Sequence, residues 1–314
     1  MGFHGMKTAL CLIISALAML LSLTPAAAQC HGREISEHVL GAPVCVPTAP
    51  SRIVVLDPFY NLGMGLELGL PIVGAPLMTA QDPDLRRAAE KASVTDIGDA
   101  RQPSLERIVA LKPDLIIGDA TLHAQVRGMF EKVAPTVLID VRNWKDHLQV
   151  LADMTGRRDT AAELLAGYEV RVAAIRARVP HFPVSILRIT PSGFHVYVSG
   201  PASYAPYAVL REAGVQRTAY ETVTDNTAFK RPGWEEIGLL DGKTLLYVVV
   251  SGYDQAPDDA LEAATTKNPF WQMLPAVQAG RAYRVDRATW MGFHGVASAH
   301  RVLDDVERYI VNAP

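Results

Sequence analysis

The sequence predicts an α/β protein of two Rossmann-like lobes joined by a single long helix, with a cleft between them. Two series of short β-branched apolar runs alternate with helical stretches, which is the signature of βαβ units. Between the series lies a proline-free segment from Asp159 to Arg178, rich in Ala, Leu, Glu and Arg. A unit of helix, turn and strand also occurs once on each side of that segment: "QPSLERIVALKPDLIIGD" from Gln102 and "PGWEEIGLLDGKTLLYVVVSG" from Pro232. A chain of 314 residues is long enough for two compact domains, and 49% hydrophobic with 20% charged residues is an ordinary globular balance.

The N-terminus opens with Lys7 and the apolar stretch "ALCLIISALAMLLSL", followed by "TPAAAQ". This is the layout of an exported signal peptide over residues 1–28, cleaved near Ala28. A membrane anchor is the rival reading, but an apolar core of about 15 residues is shorter than the roughly 20 needed to span hydrocarbon. Of three cysteines, Cys11 lies in the leader. Cys30 and Cys45 remain, and in an oxidising compartment they are read as a disulfide. Lipidation of Cys30 is the alternative, and the bulky polar Gln29 before it suits that processing badly. The formal charge of −3, with no basic run, gives no case for a nucleic-acid partner.

In the first lobe (residues 29–155), "RIVVLD", "PIVGAP", "DLIIGD" and "TVLID" read as buried strands. Asn61–Leu70, Gln102–Leu111 and His123–Val133 read as the helices between them. Asp159 is available to cap the spine helix (residues 156–180), which Pro180 and Pro183 end. The second lobe (residues 181–314) gives strands at "VSILRIT", "HVYVSG", "TLLYVVVSG" and "AYRV". Its helices are expected at "YAVLREAG", around Glu235, at "PFWQMLPAVQAG" and from Ala297 to Ile310. Loops at the carboxyl ends of both sheets are expected to face one crevice, the usual ligand position in open α/β sheets.

The motifs "PSRIVVLD", "GLPIVGAP", "IGDARQPSLERIVALKPDLIIG" and "NPFWQMLPAVQAGRAYRVDRATWMGFHGVASAHRVLDDV" together span most of the chain after the leader. On them the sequence resembles the periplasmic substrate-binding proteins of ABC importers for iron siderophores, cobalamin and haem, the class with a helical backbone between lobes. The last motif is most similar to the ferric hydroxamate branch. The resemblance implies a monomeric periplasmic receptor that binds an iron(III)-siderophore as its ligand, carries no resident cofactor and hands the chelate to a permease dimer. It also implies that a glutamate on each lobe pairs with permease arginines, and the matching positions are Glu106 and Glu235, with Glu236 one residue away. Read without the resemblance, acids in a first helical turn simply complement the helix dipole.

A chelate of that kind calls for aromatic walls and a few fixed cations. Arg101 precedes the Glu106 helix, within a residue of the position where hydroxamate-binding relatives place a contacting arginine. Arg188 interrupts an apolar strand, where a structural ion pair is an equal alternative. Trp290 and Phe293 fall on the loop that resembles the family's aromatic wall, and Phe59 and Tyr60 follow the first strand of the opposite lobe; each also suits a core. Lys230 and Arg231 stand just before Glu235, where a solvated surface pair is the plainer account. His123, His195 and His294 are candidates for one zinc or manganese site, but no pair has helix-pair or HxH spacing. Haem needs an axial Tyr or His, for which Tyr60, His123 and His294 are candidates. No GxSxG elbow, P-loop or GxGxxG motif is present, so an enzyme is the weaker reading.

Overall fold

The structure is a computed structural model and describes residues 30–41, 43–252 and 255–312. The expected leader lies outside the described residues. A short antiparallel hairpin of β1 (Arg33–Ile35) and β2 (Val44–Val46) opens the described chain. The Cys30–Cys45 disulfide ties its ends and occupies the sulfur that lipidation would need.

The first lobe is a parallel sheet of β3 (Ile53–Val55), β4 (Ile72–Ala75), β5 (Thr95–Asp96), β6 (Leu115–Asp119) and β7 (Thr136–Ile139), in the order β5-β4-β3-β6-β7. Its central runs are buried on both faces, which is why they read as continuous apolar stretches and not as alternating ones. Two helices escaped the sequence reading although their caps are written in it. Asp82 accepts from the Asp84 and Leu85 amides to start Pro83–Lys91, and Asn143 does the same for Trp144–Thr155, which stops at Gly156 in the left-handed region (φ 72°). The helix expected over His123–Val133 is broken instead. The Asp119 side chain accepts from the Leu122 amide and starts a short helix at Ala120–His123, after which the chain takes a 3₁₀ turn and restarts at Arg127–Phe130.

The second lobe orders its strands β10-β9-β8-β11-β12, with β8 (Val184–Thr190), β9 (Gly193–Tyr197), β10 (Phe229–Lys230), β11 (Thr244–Val249) and β12 (Ala282–Arg284). Here β8 and β9 form an antiparallel hairpin, because Pro191 and Ser192 alone separate them and so short a link cannot make a parallel crossover. The helix expected around Glu235 is only a 3₁₀ turn at Ile237–Leu239, preceded by Pro232-Gly233 and carrying Gly238 in its middle. The repeated unit nevertheless holds in topology. β6 and β11 each stand fourth in their own sheets, next to the first strand of the lobe's sheet.

The spine is Arg158–Arg176, 19 residues, and its N-cap is Arg157; Asp159 sits in the first turn and does not cap it. Lys145 Nζ of the first lobe pairs with Glu212 Oε2 of the second at 2.7 Å, and Tyr168 of the spine donates to that same carboxylate at 2.8 Å. Arg171 ties the spine to the last helix, Val296–Val306, through Asp304 and through Glu307 at 3.0 Å. Glu67 of the first lobe accepts from the Val296 and Ala297 amides at 2.9 and 2.7 Å, capping that helix from across the interface. One apolar cluster runs from Leu62 and Trp144 through Tyr168 to Tyr207 and Val302, so the two lobes share a continuous core on this side.

Candidate functional site

Bordering that shared core, the carboxyl ends of both sheets open onto a cleft of about 870 Å³. The first lobe contributes the segment after β3 (Asp57 to Tyr60) and that after β6 (Asp119, Thr121, Leu122). The second contributes Arg188, the Thr190–Ser192 turn, His195 and Tyr197 from the β8–β9 hairpin, the Val250–Gly252 segment after β11, and Arg287 with Met291 to Phe293. Residues on both walls follow parallel strands, as the ligand position in α/β sheets requires.

The wall of the first lobe is aromatic with committed acids. Tyr60 meets His147 edge-on at 5.1 Å and Phe293 at 6.1 Å, joining the two lobes at the cleft floor. Burial raises the Tyr60 hydroxyl above its ordinary range, so it stays protonated. Asp57 is 2% exposed, and its oxygens accept from the Phe59 and Asn61 amides and from the Asn61 side chain. Burial pushes this carboxyl up, against the Asn61 hydrogen bond that favours its charge. Asp119 accepts from the Leu122 amide. His147 Nε2 hydrogen-bonds Asn61 Oδ1 at 2.8 Å, and burial pushes the imidazole down to about 4.

The second wall is cationic. Arg188 projects from β8, its Nη1 donating to the Tyr197 hydroxyl at 3.1 Å, while its buried Nε has no acceptor among the described residues. Tyr197 stacks on Tyr207 at 4.9 Å and leans on Tyr204 at 5.7 Å, so the hydroxyl that holds Arg188 is itself fixed by packing. His195 lies below its ordinary value because of burial and then the Arg188 and Arg231 charges, and it remains neutral near pH 7. Arg287 is 8% exposed and reaches across the cleft to Gln81 Oε1 at 3.3 Å while donating to the Gly252 carbonyl. Asp258 stands 3.6 Å from its Nη1, yet among the described residues Nη1 and Nε make no hydrogen bond. Preset guanidinium donors beside an aromatic wall suit a bulky ligand with anionic oxygens.

Of the residues singled out in the sequence, Arg188, His195, Phe59, Tyr60 and Phe293 converge on this cleft. Trp290 does not line it: its ring is fully buried and its indole N–H donates to Asp305 Oδ2 at 2.7 Å. Arg101 is exposed outside the lining, its amide held by Asp99. His123 is buried with Nε2 bonded to the Ala100 carbonyl at 2.8 Å. Lys230 is tied to the Tyr220 carbonyl at 2.6 Å and sits over the Tyr220 ring, away from the cleft. His294 is engaged by Asp82, and among the described residues no group of three His, Cys, Asp or Glu side chains is placed to hold a metal ion. Arg287, Gln81 and Tyr197 escaped the sequence reading. Only Tyr197 carried a signal, since the alternation in "FHVYV" puts it on the face of His195.

The periplasmic binding protein family model matches residues 53–289, from the first strand of the first lobe to the last short helix of the cleft. The chain belongs to this family. Among curated relatives, a probable siderophore-binding lipoprotein of Bacillus subtilis, YfiY, is 28% identical over 88% of this chain and 87% of its own length. The iron(3+)-hydroxamate-binding protein FhuD of the same organism is 29% identical over 77% and 76%. Of solved structures, Staphylococcus aureus SirA complexed with staphyloferrin B superposes with a TM-score of 0.75 over 88% of this chain and 98% of that one, at 22% identity. That likeness establishes the two-lobed fold of this family member.

Proposed function

We propose that the protein is a periplasmic receptor that binds a ferric siderophore in the interlobe cleft and delivers it to the permease of an ABC importer. The observation that carries this reading is the cleft itself: about 870 Å³ between two stiff lobes, with guanidiniums on one wall facing aromatic rings on the other. Curated relatives named for siderophores, hydroxamates and ferric citrate support the cargo class. The apolar leader supports export. Because the lobes share a core and are braced by the spine, capture needs only small-angle closure.

Glu106 and Glu235 are the permease-docking carboxylates in this proposal. Both are exposed, both precede equivalent strands of their lobes, and neither forms an ion pair among the described residues. Glu236 accepts from the Gly233 amide at 3.1 Å and is thereby held in its turn, which favours Glu235 of the two. Two free carboxylates on separate rigid lobes can steer and orient a cationic partner.

The test is titration of the mature protein with ferric siderophores, haem and cobalamin, read by quenching of intrinsic fluorescence. Saturable binding of a ferric siderophore, with haem and cobalamin at least about 100-fold weaker, is expected. Preferential binding of haem or cobalamin would move the protein to another cargo.

A further inference from the structure

Arg188 is a guanidinium set among apolar residues on β8, and among the described residues its hydrogen-bond partner is a tyrosine hydroxyl alone. Arginine cannot shed its proton, so partial burial without an anion carries a standing cost that a bound anion relieves. The acids that line the cleft do not supply that anion. Asp57 is taken up by amides of its own turn, Asp119 by the Leu122 amide, and Asp82 by His294 and Arg301. Arg287 has Asp258 for charge balance, but its buried Nε and Nη1 find no acceptor among the described residues. Among the described residues the cleft thus presents buried donors without acceptors on one wall, with a neutral His195 opposite Arg188 in the β8–β9 ladder.

Resting on the siderophore reading, we propose that the cargo is a net-negative ferric chelate whose carboxylate or catecholate oxygens are gripped by Arg188 and Arg287. A neutral tris-hydroxamate offers these arginines only weakly charged oxygens. A citrate-type or catecholate chelate offers full negative charge, which charge-assisted and bidentate pairing to guanidinium rewards. On binding, the cargo takes the place of Gln81 on Arg287.

The experiment titrates the mature protein with ferric citrate, ferric enterobactin, ferrichrome and ferrioxamine B, using quenching of intrinsic fluorescence. One of the two anionic chelates should bind at least about 10-fold tighter than both hydroxamates, and which of the two does so separates carboxylate from catecholate cargo. Arg188→Gln should then weaken that chelate about 10- to 100-fold, with Arg188→Lys recovering part of the loss and both variants unfolding near the wild-type temperature. Ferrichrome or ferrioxamine B binding as tightly as the anionic chelates would overturn the inference and leave the siderophore reading standing. Failure of all four to bind would overturn both.

Discussion

Asp82 of the first lobe accepts a hydrogen bond from His294 Nε2 of the second at 3.1 Å and an ion pair from Arg301, while capping its own helix. The carboxylate is 2% exposed. Burial alone would raise it, but the His294 hydrogen bond and the Arg301 charge together hold it below the usual carboxylate range. This is a clamp between lobes, on the face where Gly63 lets them meet: a Cβ there would stand 2.6 Å from His294 Nδ1. Asp82→Asn keeps an acceptor but leaves Arg301 only the exposed Asp84 carboxylate, at 3.4 Å. We expect a loss of about 3 kcal/mol in urea unfolding, with a smaller loss pointing to a solvent-shared pair. Because the folded carboxyl titrates below the unfolded one, its contribution is present above about pH 4 and disappears as the pH falls further.

His147 governs a different pH window. Its imidazole titrates near 6.5 when unfolded and is pushed down to about 4 by burial when folded. The unfolded chain therefore binds a proton that the folded chain refuses, and stability declines as pH drops from about 6.5 to about 4. The decline attributable to this one group is on the order of 3 kcal/mol. His147→Gln, which retains a donor for Asn61, should flatten the curve of unfolding free energy across that interval. An unchanged slope would assign the effect to other groups.

Trp290 tests core against wall. Its indole bond to Asp305 and its contact with the Tyr207 ring at 5.8 Å make it part of the shared core. Trp290→Phe should cost about 1 to 3 kcal/mol of stability by orphaning Asp305, while chelate affinity stays within about 2-fold. A 10-fold loss of affinity at unchanged stability would return Trp290 to the ligand wall.

These residues also show what the sequence could and could not tell. Strands buried on both faces were legible, since an unbroken β-branched run such as "RIVV" has few other uses, and so was Arg188 as a charge within such a run. Size and aromaticity do not say which side of an element a ring occupies. Trp290 and Phe293 are three residues apart, but the helix Arg287–Met291 ends between them, sending one inward and the other to the cleft. Arg287 sits at the start of that helix with no periodic pattern around it, and its role depends on Gln81 from the other lobe, more than 200 positions away. The missed helices and the collapsed Glu235 helix turned on local capping and on glycine, whose effects outweigh apolar spacing in short segments.

Under the proposed function, docking can be separated from cargo capture because the two proposed sets of residues do not overlap. Glu106 and Glu235 are outside the cleft lining, exposed, and bear no ion pair that their removal would break. Glu106 stands in the first turn of Leu105–Leu111, where it contributes about 0.3 to 1 kcal/mol through the helix dipole. Glu106→Ala combined with Glu235→Ala should therefore lower stability by no more than about 1 kcal/mol and leave the fluorescence titration unaltered. Uptake of radiolabelled iron chelate by cells carrying the cognate importer should fall to background. A double charge reversal to lysine should be no better than the alanine pair if arginines face these positions, because repulsion then replaces lost attraction. Normal uptake with either variant would show that the permease reads another surface, and the exposed Leu239 and Met273 beside the second-lobe turn would be the next to change.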